Sequence, residues 1–356
     1  MASPLFANQL VFIGRGDKNI HVANFDTSTG ALTDVRQVAE LPGPSFICLS
    51  PNHKFLFAVS EGHDAQSSAI SAFSVGRDGS LAFINRQPSG GSGPCHVSVD
   101  PQGKCVMAAN YGSGSMVAFP LQADGSLGPQ SAFFQDHGSS GVVPDRQDGP
   151  HAHCVITDPA DRYAFDCDLG LDQVLSYKID PATATLTPND PPFFAGKPGA
   201  GPRHLAFHPN GRFAFVINEL DSAIVSLAYD AAKGTFSAIQ TSALLPEDFT
   251  GKSTAAEVAV HPSGKFVYGS NRGHDSIAVF ACDPETGKLT LVERHPSGGK
   301  TPRNFEIDPT GAFLLAANQS GNVVVFRIDP ATGKLRETGH SIEIPIPMCV
   351  KCIPEL

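Results

Sequence analysis

The sequence contains no apolar run approaching the roughly 18 residues that a membrane-crossing helix needs. Its opening, Met1-Ala2-Ser3-Pro4-Leu5-Phe6, lacks the basic stretch and long apolar segment of a secretory leader. A cytoplasmic protein with no membrane partner is therefore expected. There is no excess of positive charge. The formal net charge is −10, which argues against general nucleic-acid binding, since that needs basic surface, but leaves room for a small basic pocket. Cys349-Val350-Lys351-Cys352 has no second CxxC to complete a zinc site. In a strand its two cysteines would face opposite sides. No metal and no cofactor are expected. The remaining cysteines, Cys48, Cys95, Cys105, Cys154, Cys167 and Cys282, sit mostly among apolar strand residues and read as small buried hydrophobes in a reducing compartment.

What is abundant is turn chemistry, with 35 Gly and 29 Pro alongside a hydrophobic content of 41%. That composition fits many short strands joined by tight turns rather than long helices. A Pro-centred turn recurs about every 50 residues, at Pro51, Pro101, Pro159, Pro209, Pro262 and Pro309. Each is flanked by apolar strands, as in Val97-Ser98-Val99 before Pro101 and Phe266-Val267-Tyr268 after Pro262. A second turn and a third strand follow. The unit then closes with a hairpin of the form Asp283-Pro284-Glu285-Thr286-Gly287-Lys288-Leu289, in which Gly supplies positive φ and Asp bonds its own backbone.

The first copy, Val11 to Leu32, lacks its first strand, and Met348 to Ile353 can provide it. Seven four-stranded units then form a ring. The expected fold is all-β, a seven-bladed β-propeller of one domain over residues 1–356, with the first blade closed by the C-terminal strand.

This topology predicts where chemistry gathers. The first two strands of a blade are antiparallel, so the start of one and the end of the next lie on the same face of the disc. The strand-one starts are Ser45-Phe46, Cys95-His96, His153-Cys154, Arg203-His204, Ala256-Glu257 and Arg303-Asn304; the strand-two exits are Arg15, Glu61, Tyr111, Asp168, Glu219, Arg272 and Gln319. Alternation does not say which member of each pair points inward, because blades pack on both faces. Arg203, Arg272 and Arg303 crowd one rim, which suits a phosphate or carboxylate ligand. Arg203 beside Glu219 also fits a structural ion pair. His151 and His153 share a strand face, so a metal, a polar strand end and a substrate contact are all open readings. Asp168 fits a turn brace as well as a functional group, Glu257 is balanced between the two, and Tyr111 and Phe46 fit channel packing. Two long linkers, Gln130 to Pro150 and Pro246 to Thr254, lead into strand-one starts and are expected to cover part of the mouth, or else to be surface excursions.

Seven short stretches carry a resemblance: Pro150-His151-Ala152-His153, Asp168 to Asp172, Gly201-Pro202-Arg203-His204, Asn218-Glu219-Leu220, Ala255 to Val258, Ser270 to Ile277 and Thr301 to Phe305. Together, at blade spacing, they resemble the lactonase family of seven-bladed propellers, which includes propeller-type 6-phosphogluconolactonases and is related to carboxy-cis,cis-muconate cyclases. Asn304 departs from the family pattern, which has glycine there. The resemblance implies catalytic roles for His153, Arg203, Glu219 and Arg272, with His151 an alternative to His153. Around them, His96, His151, His204, Glu257, Arg303, Asn304, Tyr111, Asp168 and Gln319 are expected to contact substrate.

The activity implied is hydrolysis of a sugar lactone, 6-phosphogluconolactone first. Glu219 or His153 would activate water, Arg203 with Arg272 would stabilise the oxyanion, and Arg303 would help hold the phosphate. No Ser or Cys nucleophile motif supports a covalent intermediate. Alanine at Arg203 is expected to lower turnover without unfolding the chain. A muconate-type cyclase and a non-catalytic binding propeller are the alternatives. The expected partner is a small anionic lactone, and the expected state is a monomer or weak homodimer.

Overall fold

The computed structural model describes residues 8–354, and its secondary structure is entirely β. Seven four-stranded antiparallel sheets follow one another around a central axis. Six are built from consecutive strands. The remaining sheet joins the two ends of the chain, because Pro347–Pro354 pairs with Asn8–Arg15, from Gln9↔Pro354 to Arg15↔Pro347. The seven innermost strands touch one another in ring order, with Pro347–Pro354 between Pro302–Ile307 and Ile47–Leu49. The ring is thus closed by main-chain hydrogen bonds between sequence-distant strands, as the repeat pattern predicts.

Burial follows position within a blade. Second strands such as Phe213–Asn218 and Phe313–Asn318 are buried throughout, whereas fourth strands such as Thr235–Ala243 are mostly half-exposed. The core therefore lies between blades. Phe213, Phe215 and Ile217 of the fifth blade meet Val267, Ala278 and Phe280 of the sixth, and Tyr268 and Phe266 meet Leu314 and Phe326 of the seventh. Burying each such side chain contributes about 1.5–3 kcal/mol. Cys349 and Cys352 fall in different core clusters, on opposite faces of their strand.

The recurrent turn that precedes the second strand has three chemical solutions, one of them Ser50-Pro51, where the serine Oγ accepts the Phe55 N–H at 3.0 Å. In Asp158-Pro159 the aspartate Oδ1 accepts the N–H groups of Arg162 and Tyr163 at 2.7 and 2.9 Å. Where the motif reads His-Pro, the imidazole reaches the next blade instead. His208 Nε2 donates to the Gly264 carbonyl at 2.9 Å, and His261 Nε2 to that of Gly311 at 2.8 Å.

Candidate active site

A bulge at the same place in most blades positions the site. In the third, fourth, fifth and seventh blades the inner strand carries one extra residue opposite its neighbour: Cys95, His153, Arg203 and Arg303. The sixth blade has the same shift at Ala256-Glu257, and the first at Met348. An extra residue re-aims the side chains around it. As a result, consecutive residues face two different spaces. Cys95, His153 and Arg303 line a cavity of about 360 Å³ at the mouth, together with Glu61, Tyr111, Arg146, Glu219, Thr254 and Arg272. His96, Cys154, His204 and Glu257, each one step further along, line a second cavity of about 410 Å³ deeper in the channel.

Glu219 is the electrostatic centre of the mouth. One oxygen lies 2.9 Å from both Arg203 Nε and Arg272 Nη2, and the other accepts a hydrogen bond from Arg146 Nη2. Burial by itself would raise its carboxyl pKa; the charges of Arg272, Arg203 and Arg146 outweigh burial and hold it down at about 2. Arg272 is pushed down to about 9 by burial, against the pull of Glu219. Arg203 is 2% exposed, donates through Nη1 to the Ala256 carbonyl at 2.7 Å, and does not line the mouth cavity. Arg303 does line it, and no acceptor among the described residues pairs with its guanidinium. His153 is held well below the usual histidine range by burial first, then by the nearby charges of Arg203, His204 and Arg303. It is neutral at physiological pH. Its Nδ1 lies 3.7 Å from Cys95 Sγ.

Both long linkers reach the mouth. The first brings Arg146, a residue that sequence reasoning passed over because only loop length marked it. The loop is anchored by Gln147, which is fully buried and donates to the Leu169 carbonyl at 2.8 Å, and by Ser140 N–H on the Gly170 carbonyl. Gly170 must be glycine here, since a Cβ would stand 1.8 Å from the Gly149 carbonyl oxygen. The second linker ends at Thr254 on the cavity wall, with Ser253 Oγ donating to the Arg272 carbonyl at 3.1 Å.

Several predicted contacts lie elsewhere. His151 is outside the mouth lining; it stacks on Tyr111 at 4.5 Å and 16°, and Nδ1 donates to the Tyr111 carbonyl at 2.9 Å. Asp168 is fully buried and its Oδ1 accepts the N–H groups of His151 and Leu171, each at 2.9 Å, which makes it a turn brace. Gln319 lines no cavity described here, and its backbone N–H donates to Thr301 O at 2.9 Å. His204 Nδ1 meets Glu257 Oε1 at 3.0 Å, Glu257 accepts from Asn304, and Asn304 Oδ1 accepts Val350 N–H at 2.9 Å. Asn304 is thus a buried bridge across blades rather than a rim residue. This string ties the fifth, sixth, seventh and first blades together below the mouth.

The fold is thus a seven-bladed propeller with a mouth walled by arginines, His153 and a carboxylate clamped by three guanidinium groups. The chain belongs to the family described as "Lactonase, 7-bladed beta-propeller", which matches residues 11–352. It is 38% identical over 343 residues to the 6-phosphogluconolactonase of Bacillus subtilis, covering 96% of each chain. It is 36% identical over 330 residues to that of Formosa agariphila, covering 91% of this chain and 92% of the relative. The solved structure of a Pseudomonas aeruginosa periplasmic gluconolactonase, PpgL, superposes with a TM-score of 0.91 at 32% identity, over 97% of this chain and 99% of the other.

Proposed function

We propose that the protein hydrolyses an aldonic acid lactone, with 6-phosphogluconolactone as the substrate. The observation that carries this is Arg303, a guanidinium with no partner among the described residues, in a cavity whose other arginines are engaged by Glu219. A guanidinium that no acceptor contacts in a confined site is free to bind an anion, and it matches phosphate oxygens in pairs.

Neutral His153 takes a proton from water, and the hydroxide adds to the lactone carbonyl carbon. The developing oxyanion lies against Arg272 and Arg146 on the cavity wall. Collapse restores the carbonyl and breaks the ring C–O bond, and His153 returns its proton to the leaving alkoxide. General base catalysis of this kind contributes roughly 10²–10⁴-fold. Glu219 is the weaker choice of base, because a carboxylate held at about 2 by three arginines has little affinity for a proton. Arg203, behind it, orients Glu219 and Ala256 rather than touching substrate. A cytoplasmic location belongs to the same proposal, supported by eight unpaired, buried cysteines.

Purified protein should accelerate acid release from 6-phosphogluconolactone above the spontaneous rate and leave a muconate-type diacid unchanged. No acceleration, or lactonisation of the diacid instead, rules the assignment out.

A further inference from the structure

The mouth cavity does not end at the arginines. Glu61 and Tyr111 line it and also line an adjoining lobe of about 520 Å³. The two walls differ in chemistry. The lobe has no arginine or lysine, and much of it is main chain, exposed by Gly16, Gly43, Gly62, Gly93 and Gly112. These glycines come from mouth loops of the first three blades. The linkers into the second and third blades, residues 41–46 and 89–93, are short, so no long loop covers this side as those ending at Pro150 and Thr254 cover the other.

Glu61 stands at the junction. It occupies in the second blade the place that Glu219 occupies in the fifth, at the exit of the second strand. Three arginines bind Glu219, whereas the Glu61 carboxylate has no ion-pair or hydrogen-bond partner among the described residues. Glu61 borders both spaces; a carboxylate accepts hydrogen bonds only, so on the side of the cation-free lobe it calls for hydroxyl donors. Tyr111 adds a ring fixed in place by the His151 stack and by Arg146 Nη2 on its hydroxyl at 3.3 Å, a platform for the apolar face of a sugar ring.

We propose that this lobe holds a second, neutral sugar. On the lactonase reading above, the site then accepts disaccharide aldonolactones, with the lactone ring at the arginine end and the glycosyl unit in the lobe, its hydroxyls donating to Glu61.

The experiment compares hydrolysis of glucono-δ-lactone and cellobiono-δ-lactone, above their spontaneous rates, by the wild-type protein and by variants that fill or neutralise the lobe. The glycines are poor test positions: a Cβ at Gly16, Gly62 or Gly112 would lie 2.6, 2.3 or 2.8 Å from Met348, Ser67 or Ser92. Ser92→Trp and, independently, the exposed His63→Trp fill the space instead, and thermal melting confirms that each is folded. The wild type should turn over the disaccharide lactone with kcat/KM within about threefold of the monosaccharide lactone. Each tryptophan variant should lose about tenfold or more on the disaccharide and less than threefold on the monosaccharide. Glu61→Gln should raise KM for the disaccharide lactone about tenfold with kcat little changed. Turnover of glucono-δ-lactone alone overturns the lobe assignment and leaves the lactonase reading standing. So does an equal loss on both substrates in two folded tryptophan variants. Turnover of neither lactone, nor of 6-phosphogluconolactone, overturns both.

Discussion

Arg203 Nε lies 2.9 Å from Glu219 Oε2 although the two residues are 16 positions apart, one at each end of a single hairpin. The contact follows from antiparallel pairing plus one extra residue. Pro202 pairs with Asn218 and His204 with Ile217, so Arg203 is left out of the ladder and its guanidinium is free to swing toward the strand exit. Arg272, from the next blade, meets the same oxygen. Glu219 therefore holds two blades and, through Arg146, the long linker in one electrostatic unit.

That placement changes what removing Arg203 should do. The guanidinium is 2% exposed and supports both Glu219 and the Ala256 carbonyl. Arg203→Ala should lower stability, as read by denaturant unfolding, but by less than the about 3–5 kcal/mol of a buried charge left wholly unpaired, because Arg272 and Arg146 still hold Glu219. Turnover should fall as well, because Glu219 and Arg272 lose their alignment. The unfolding measurement tests the expectation that alanine at this position spares the fold. An unfolding midpoint equal to wild type would show that Arg203 is dispensable for the packing of the mouth.

The pH profile separates the two candidate bases. His153 is driven well below the usual histidine value by burial and by Arg203, His204 and Arg303, and Glu219 is held at about 2. A base must be unprotonated to act. Log kcat/KM should therefore stay flat from pH 8 down past about 6.5, the unperturbed histidine value, and fall only in more acidic solution. His153→Gln should lower kcat about 10²–10⁴-fold and leave a profile without that limb. A midpoint at or above about 6.5, or a limb retained in the glutamine variant, would exclude His153 as the base.

The ring, its closure and the location of its mouth were legible because each rests on a repeated local signal. The turn prolines mark the period, and antiparallel geometry brings Arg203 near Glu219 without any knowledge of packing. The split between Arg303 in the mouth and Asn304 below it was not legible. It depends on a bulge, which leaves no mark on hydrophobic periodicity when both faces of the strand are buried. Arg146 was hidden for a different reason. Its position is set by Gln147 binding the Leu169 carbonyl and by the absence of a side chain at Gly170, contacts between segments that no local pattern encodes.

Arg303 should govern affinity for the phosphorylated substrate. Its guanidinium lines the mouth without a partner among the described residues, and a charge-assisted hydrogen bond to an anion contributes about 1.5–3 kcal/mol. Arg303→Gln should raise KM for 6-phosphogluconolactone roughly 10- to 150-fold by that arithmetic, with a smaller change for unphosphorylated glucono-δ-lactone. Equal losses on the two lactones would assign Arg303 to the reacting carbonyl instead of the phosphate.

A second group of charges, away from the mouth, should make stability fall in alkaline solution. Asp136, Asp166 and Asp168 lie together between the third and fourth blades, 5%, 0% and 0% exposed. Both oxygens of Asp166 and one each of Asp136 and Asp168 have no hydrogen-bond partner among the described residues. Burial and mutual repulsion raise Asp136 to about 8 and Asp166 well above the carboxylate range. The folded state therefore binds protons that the unfolded chain releases near the ordinary aspartate value of 3.8. Their stabilising effect is complete below that value and is lost as pH rises through about 8, at up to about 1.4 kcal/mol per pH unit for each proton retained. Melting temperature should drop between about pH 6 and 8, within that window. Asp166→Asn removes one of the three ionisations and should flatten the decline while preserving turnover, since Asp166 does not line the mouth. A wild-type melting curve that is level across this range, or an asparagine variant that declines as steeply, would show that these carboxyl groups share no retained protons.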